Sequence, residues 1–327
     1  MKSNLLFVFI LVLTSLYEPR AHAQKWEKAF HKVDSILSLR YQRTDLDTLY
    51  IIRPATKWTA KIRVNNSAAQ IKTAGVINDR MFSSQMNADY KTTISAAISY
   101  MGISLGIALN PAKLLGKYQD FQFNLNSYGK KMGYDIIYKN AKNFKGWHEY
   151  EGSERTTLPS DILSLRTLNL NAYYTLNHRR FSYPAAFTQS YIQRRSAGSI
   201  LLAASFQGQR AIINRLEDSR LKVINIAFGG GYGYNFVPSE KWLFHISALP
   251  TFIVYSHASL IEEGARTPLH YHFPEVILTS RAAIVRQMGR YFTGATMVFN
   301  FTSIGSDKDL MVQNSNWYIR AFVGYRF

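Results

Sequence analysis

The feature that most constrains this chain is a theme repeated from Trp58 to its last residue: about nine to eleven residues of alternating apolar and polar character, a turn, then another such run. Alternation at period two sends successive side chains to opposite faces of a strand, and this length suits a strand tilted through a bilayer. The runs fall at 58–66, 91–99, 102–110, 119–128, 131–142, 164–175, 197–208, 221–234, 242–254, 274–286, 291–302 and 315–327, about twelve in all. Short links at 100–102, 129–130, 237–241 and 287–290 alternate with long polar ones at 67–90, 143–163, 209–220, 255–273 and 303–314; the long 176–196 link breaks the order. An even number of strands with short turns at one end and long loops at the other is the pattern of a transmembrane antiparallel β-barrel. In the sixth run Leu168, Leu170, Ala172 and Tyr174 are expected to face lipid, and Thr167, Asn169, Asn171, Tyr173 and Thr175 the interior; in the fourth, Phe121, Phe123 and Leu125 oppose Gln122, Asn124 and Asn126. A soluble sandwich alternates too, with the sense reversed, so alternation by itself does not choose between them.

The two ends of the chain favour the membrane reading. The last run puts Trp317, Ile319, Ala321, Val323, Tyr325 and Phe327 on one face and Tyr318, Arg320, Phe322, Gly324 and Arg326 on the other. Its close on Tyr325 and Phe327 resembles the carboxy-terminal signal of bacterial outer-membrane barrels, which implies recognition by the barrel assembly machinery and pairing of the last strand with the first. At the other end Lys2, the apolar run 5–16 and Ala21-His22-Ala23 read as a secretory leader cut near Ala23. The expected organisation is a signal peptide over 1–23, a periplasmic amphipathic helix and extended segment over 24–57, and a barrel over 58–327. The helix is read from Trp26, Ala29, Phe30, Val33, Ile36 and Leu37 falling on one face.

Composition narrows the function classes. The chain has no cysteine, which excludes disulfides, thiolate metal sites and a lipid-modified cleavage cysteine. Lys and Arg number 39 against 21 Asp and Glu; removing a leader with Lys2, Arg20 and Glu18 leaves 37 against 20, a net charge of +17. The cations are scattered through loops and alternate strand positions and form no helical cluster, which argues against nucleic acid and toward outer-membrane lipid, lipopolysaccharide or anionic solutes. An aromatic content of 14% suits girdles at two membrane interfaces.

Several blocks carry a family resemblance: 177–187 (NHRRFSYPAAF), 193–199 (QRRSAGS), 128–135 (YGKKMGYD) and 47–54 (DTLYIIRP). From about Asp45 to Phe327 the chain resembles the domain of unknown function 4421 family, outer-membrane proteins of the Bacteroidota. The resemblance implies a barrel in the outer membrane and carries over no activity and no catalytic residues. The aromatic block 181–187, broken by Pro184, sits on the anomalous link. It is read as a cluster on the barrel rim, a plug folded into the lumen, or a contact for a periplasmic partner.

A chemical site is not legible. His257 with Ser256 or Ser259 is the arrangement closest to an acyl hydrolase, and His270 and His272 with Glu262 and Glu263 the closest to a metal site; neither has a scaffold in the sequence, so no catalytic residue, metal or cofactor is assigned. Gly229-Gly230-Gly231-Tyr232-Gly233 lacks the lysine of a phosphate loop and reads as room for bulky neighbours. What alternation does place is charge: Lys61 and Arg63 on the first strand and Arg320 and Arg326 on the last face inward along one seam, partly balanced by Asp135. The functional expectation is a narrow pore or scaffold for anionic solutes or lipid. A lipid-modifying outer-membrane enzyme and a soluble periplasmic β-protein are the alternatives.

Overall fold

The computed structural model describes residues 34–35, 45–77, 79–100, 103–109, 121–142, 144–159, 163–213, 220–262, 265–269, 275–305 and 310–327. Contacts divide the chain into Met1–Asp45 and Leu46–Phe327. The leader and nearly all of the amino-terminal helix expected at 25–39 lie outside the described residues.

Of the eighteen strands among the described residues, twelve correspond to the expected runs: β1 (Trp58–Ile77), β2 (Lys91–Tyr100), β3 (Ile103–Leu109), β4 (Phe121–Tyr128), β5 (Met132–Ala141), β6 (Leu163–Thr175), β7 (Ala197–Ile213), β8 (Arg220–Ser239), β9 (Trp242–Glu262), β10 (Val276–Met288), β11 (Tyr291–Ile304) and β12 (Leu310–Arg326). Each expected run carries one of them. Every strand pairs antiparallel with its sequence neighbour from β4 round to β12, and β12 then pairs with β1, and β1 with β2 and β2 with β3. The seam between last and first strands runs from Arg326 opposite Thr59 to Leu310 opposite Gly75. It ends in a reciprocal pair: the Trp58 and Phe327 amides each donate to the other's carbonyl at 3.1 Å. The β3–β4 link, 110–120, and the side chains of Phe121 to Asn126 lie outside the described residues.

Side-chain burial settles the sense of the sheet. Ile62, Val64, Ile94, Ile98, Ile200, Leu202, Phe228, Ile246, Phe252 and Val254 are exposed, while Ser95, Thr167, Ser205, Gln207, Asn225, Asn235, Ser247, Thr279, Arg281 and Arg326 are buried. A soluble protein would leave that belt as an aggregation surface, whereas a bilayer removes it from water and a polar interior satisfies the inward groups. This excludes the soluble reading. On β12 Ile319, Val323 and Phe327 are exposed and Phe322 and Arg326 buried; on β6 Leu170 is exposed and Thr167, Tyr173 and Thr175 are buried.

Aromatic pairs mark both edges of the belt. Trp58–Tyr100 (4.6 Å between ring centroids), Tyr291–Tyr325 (4.7 Å) and Trp242–Phe244 (5.9 Å) gather at the end with the short turns, and Tyr90–Trp317 (5.9 Å) lies toward the other. From Trp317 to Phe327 is about 33 Å of strand, which at a tilt of about 40° rises about 25 Å, the height of an outer-membrane apolar band.

The long polar links differ from the expectation. β1, β8 and β9 run for 20, 20 and 21 residues, so stretches read as loops continue the strands beyond the belt. The 67–90 link is the upper half of β1 hairpinned to Arg80–Ala88, and Phe144–Tyr150 pairs onto that hairpin with Thr156–Leu158 outside it. These residues alternate too weakly for a hydropathy reading, and main-chain pairing to a formed neighbour makes them strands regardless.

Candidate functional site

The anomalous link does not hang below the barrel. Residues 177–195 turn back into the interior at the short-turn end and carry one helical turn, α1 (Tyr183–Phe187). The local sequence prescribes it: Ser182 is the N-cap, its Oγ accepting from the Ala185 amide at 3.2 Å, and Pro184 sits in the first turn, where no amide donor is needed. The turn closes through Thr188 and Gln189 amides on the Pro184 carbonyl, with Gln189 at φ 57°.

Phe181, Tyr183, Ala185 and Ala186 are all 0% exposed. Phe181 and Tyr183 pack with Tyr173, Leu201 and Leu249 of the wall; Ala185 and Ala186 pack with Leu243, Val285, Phe292 and Phe322. Glycine in the wall gives them room. A Cβ at Gly233 would stand 3.0 Å from the Phe181 ring, and one at Gly133 would overlap the Tyr173 ring. The segment is therefore a plug with an aromatic side, inserted into the interior rather than lying on the rim.

Polar wall groups hold it. Asn235 Nδ2 donates to the Ser182 carbonyl (3.0 Å) and to Gln193 Oε1 (3.1 Å), and its Oδ1 meets His245 Nδ1 at 2.7 Å. His245 Nε2 lies 3.0 Å from Ser247 Oγ, which is 2.8 Å from the Tyr183 hydroxyl. Arg281 Nη1 donates to that hydroxyl at 3.3 Å, and its Nη2 pairs with Asp135 Oδ2. Tyr128 Oη donates to Asp135 Oδ1 at 2.6 Å. The segment before β1 also fastens the plug: Ile51–Ile52 pairs with Ile192–Gln193, and Arg180 Nε donates to Asp47 Oδ2 at 3.1 Å.

The seam charges divide into two groups. Lys61 Nζ donates to the Thr188 carbonyl (3.0 Å) and to Gln189 Oε1, and Arg326 Nη2 donates to the Gln189 carbonyl at 3.2 Å. Two of the four cations thus cap the carbonyl end of α1, where partial negative charge favours them. Arg63 and Arg320 stand one step further from the plug: Arg63 is opposite Phe322, and Arg320 is opposite Asn65, whose Oδ1 accepts from its Nε at 2.6 Å. Among the described residues neither is in an ion pair, and Arg63 Nε is buried without a hydrogen-bond partner. Asp135 does pair with an interior arginine, but that arginine is Arg281 on β10 and not one of the seam cations. Among the described residues no ion pair joins Asp135 to the seam cations. Tyr325 and Phe327 lie on the outer face, their rings 6.1 Å apart, Phe327 stacked 6.4 Å from Trp58.

Arg281, Asn235 and His245 escaped the sequence reading although parity placed them. Arg281 shares the inward phase of Thr279 and Ala283, and Asn235 is the register partner of His245. Their importance comes from the plug, which no strand pattern announces. Of the serine–histidine candidates, Ser256 Oγ donates to Asn225 Oδ1 at 2.8 Å inside the wall, Ser259 is buried, and His257 is exposed. His270, His272 and Glu263 lie outside the described residues, as does the side chain of Glu262. No group of metal-ligating side chains occurs among the described residues.

A curled antiparallel sheet with its apolar residues outward, its last strand β12 paired with its first β1, and its interior filled at one end by its own link, defines a plugged outer-membrane-type β-barrel. The chain belongs to the family described as domain of unknown function (DUF4421), whose model matches residues 45–327. Solved structures similar to it include the outer membrane protease OmpT from Escherichia coli (8% identity, TM-score 0.42, 83% of this chain and 97% of that one), the outer membrane protein OprG from Pseudomonas aeruginosa (11%, 0.27, 83% and 97%) and the translocator domain of the autotransporter NalP from Neisseria meningitidis (10%, 0.25, 94% and 100%). Comparison with curated proteins gives no match.

Proposed function

We propose that this protein is an outer-membrane barrel that admits small anionic solutes from the outside into a basic vestibule and is closed toward the periplasm by the 177–195 plug. With short turns and both barrel termini assigned to the periplasmic side, the strand extensions face outward. The observation that supports the reading is the Arg63–Arg320 pair: two inward cations just above the plug, with no acid paired to them among the described residues. Glu275, near the outer end, accepts from the Gly305 amide at 2.9 Å. Charged groups at this depth persist where water reaches them, and a hydrated basic ring favours anions.

Planar-bilayer recording tests the proposal. The intact protein should be closed or nearly so, and a variant with Asn177–Arg195 replaced by a short Gly-Ser turn should conduct with anion preference. Arg63→Ser with Arg320→Ser in that background should abolish the preference. Cation preference in the unplugged barrel, or a preference indifferent to the two arginines, refutes it.

A further inference from the structure

In the wall groups that hold Tyr183, each donor and acceptor can be assigned in turn. Asn235 Nδ2 gives its protons to the Ser182 carbonyl (3.0 Å) and Gln193 Oε1 (3.1 Å), so the Oδ1 that meets His245 Nδ1 at 2.7 Å accepts. A neutral imidazole that donates from Nδ1 must accept at Nε2, and the group 3.0 Å from Nε2 is the Ser247 hydroxyl. Its one proton is then directed at the ring. The Tyr183 hydroxyl, 2.8 Å from Ser247 Oγ, therefore donates to it, and accepts from Arg281 Nη1 at 3.3 Å. A serine proton aimed at an imidazole whose far nitrogen is held by an amide is the order of groups that activates a nucleophile. These groups belong to the wall: Asn235 on β8 lies opposite His245 on β9, and Ser247 follows two residues on along the same inward face. The tyrosine alone comes from the plug.

We infer that Ser247, His245 and Asn235 form a latent site for hydrolysis of acyl esters, masked by the plug. Tyr183 Oη occupies the place of a reacting oxygen, close to both the serine and Arg281, whose Nε is buried without a hydrogen-bond partner among the described residues. When α1 withdraws, an ester carbonyl takes that place. Ser247 Oγ bonds to the carbonyl carbon as its proton passes to His245 Nε2, and Arg281 faces the oxyanion. Collapse breaks the ester carbon–oxygen bond and the alcohol leaves with the proton from His245. Water then attacks the acyl-serine by the same route, releasing the carboxylic acid and restoring the hydroxyl. Asn235 acts through His245 and is a positioning residue. The fold also selects the substrate. The site faces the lumen, out of reach of bilayer lipid on the outer wall, so the ester is small and water-soluble. Gly233 stands opposite Ser247 and leaves space that the Phe181 and Tyr183 rings fill against Tyr173, Leu201 and Leu249; a compact apolar acyl group suits the same surface. A small cavity lined by Tyr173, Leu249, Thr251 and Arg281 adjoins the site on the vestibule side. The inference stands whether or not the vestibule prefers anions.

The test uses the full chain in detergent micelles, with p-nitrophenyl butyrate as substrate and a fluorophosphonate probe located by peptide mass spectrometry. Tyr183→Ala should raise hydrolysis about a hundredfold over the intact protein, the lower range of general-base catalysis, and bring the phosphonate onto Ser247. Ser247→Ala or His245→Ala in that background should return the rate to the intact level, and Ser256→Ala should leave it unchanged. Asn235→Asp there sets a carboxylate on the ring and favours its protonated form, so the acid limb of the rate–pH profile should move to higher pH. Heat-modifiable migration on gels verifies folding, and Gln193→Ala, which loosens the plug from its own side, supplies a second unmasked background. Hydrolysis that persists without Ser247, a label on another residue, an unmoved acid limb, or folded but inactive barrels in both backgrounds overturns the inference and leaves these groups a structural support for Tyr183.

Discussion

Replacing Asp135 by Asn tests whether the interior ion pair fixes the plug. Asp135 and Arg281 side chains are 2% and 3% exposed, so the substitution strips the partner from a guanidinium that water scarcely reaches. Breaking a buried pair from one side costs about 3–5 kcal/mol, because the remaining charge stays buried. Asn retains an oxygen for Tyr128 Oη, 2.6 Å away, which keeps the loss near the lower bound; Asp135→Leu forfeits that bond as well and adds about 1–3 kcal/mol. Arg281 also donates to Tyr183 on α1, so its displacement reaches the plug. Asp135→Leu combined with Arg281→Met removes both charges, and the pair should recover most of the single-variant loss, a coupling of about 2–3 kcal/mol. Urea unfolding of the refolded barrel in micelles, followed by tryptophan fluorescence, measures all four corners of the cycle. Additive losses, or an Asp135→Asn cost under about 1 kcal/mol, refute the claim that the pair is dry and that plug and wall share it.

Three further outcomes follow from the geometry. Gly233→Leu drives a side chain into the space of the Phe181 ring, 3.0 Å from the added Cβ; the expected cost is about 1–3 kcal/mol together with new single-channel openings, and a silent barrel of unchanged stability would speak against plug displacement. Phe327→Asp places a charge beside Trp58 and Tyr325 on the lipid-facing edge and should lower outer-membrane levels several-fold on fractionation, whereas unchanged levels would remove the terminal aromatic from the assembly signal. Because burial and then the Lys131 charge hold His178 low, Lys131→Ala should raise its titration midpoint, read from imidazole proton shifts by NMR; an unmoved midpoint would mean that the Lys131 charge does not reach His178.

The strands and their facing were legible because a bilayer imposes a rule on single residues. An outward position must suit lipid and an inward one must find a polar partner, so period two survives in the chain, and Ile319, Val323, Phe322 and Arg326 could be assigned to their faces before any pairing was known. The same parity put Lys61, Arg63, Arg320 and Arg326 on one seam, since β12 must meet β1 in a closed sheet. Parity says nothing of what lies across the lumen. That Asp135 answers Arg281, that Lys61 and Arg326 cap a helical turn 127 or more residues away in sequence, and that Asn235, His245 and Ser247 form a polar shelf under Tyr183 are consequences of curling the sheet and folding 177–195 back inside. The extended outer ribbons were hidden for a related reason: their strand character comes from hydrogen bonds to neighbours, not from hydropathy. Sequence periodicity fixes each residue relative to its own strand; only closure of the barrel decides which residues, far apart in the chain, share the space it encloses.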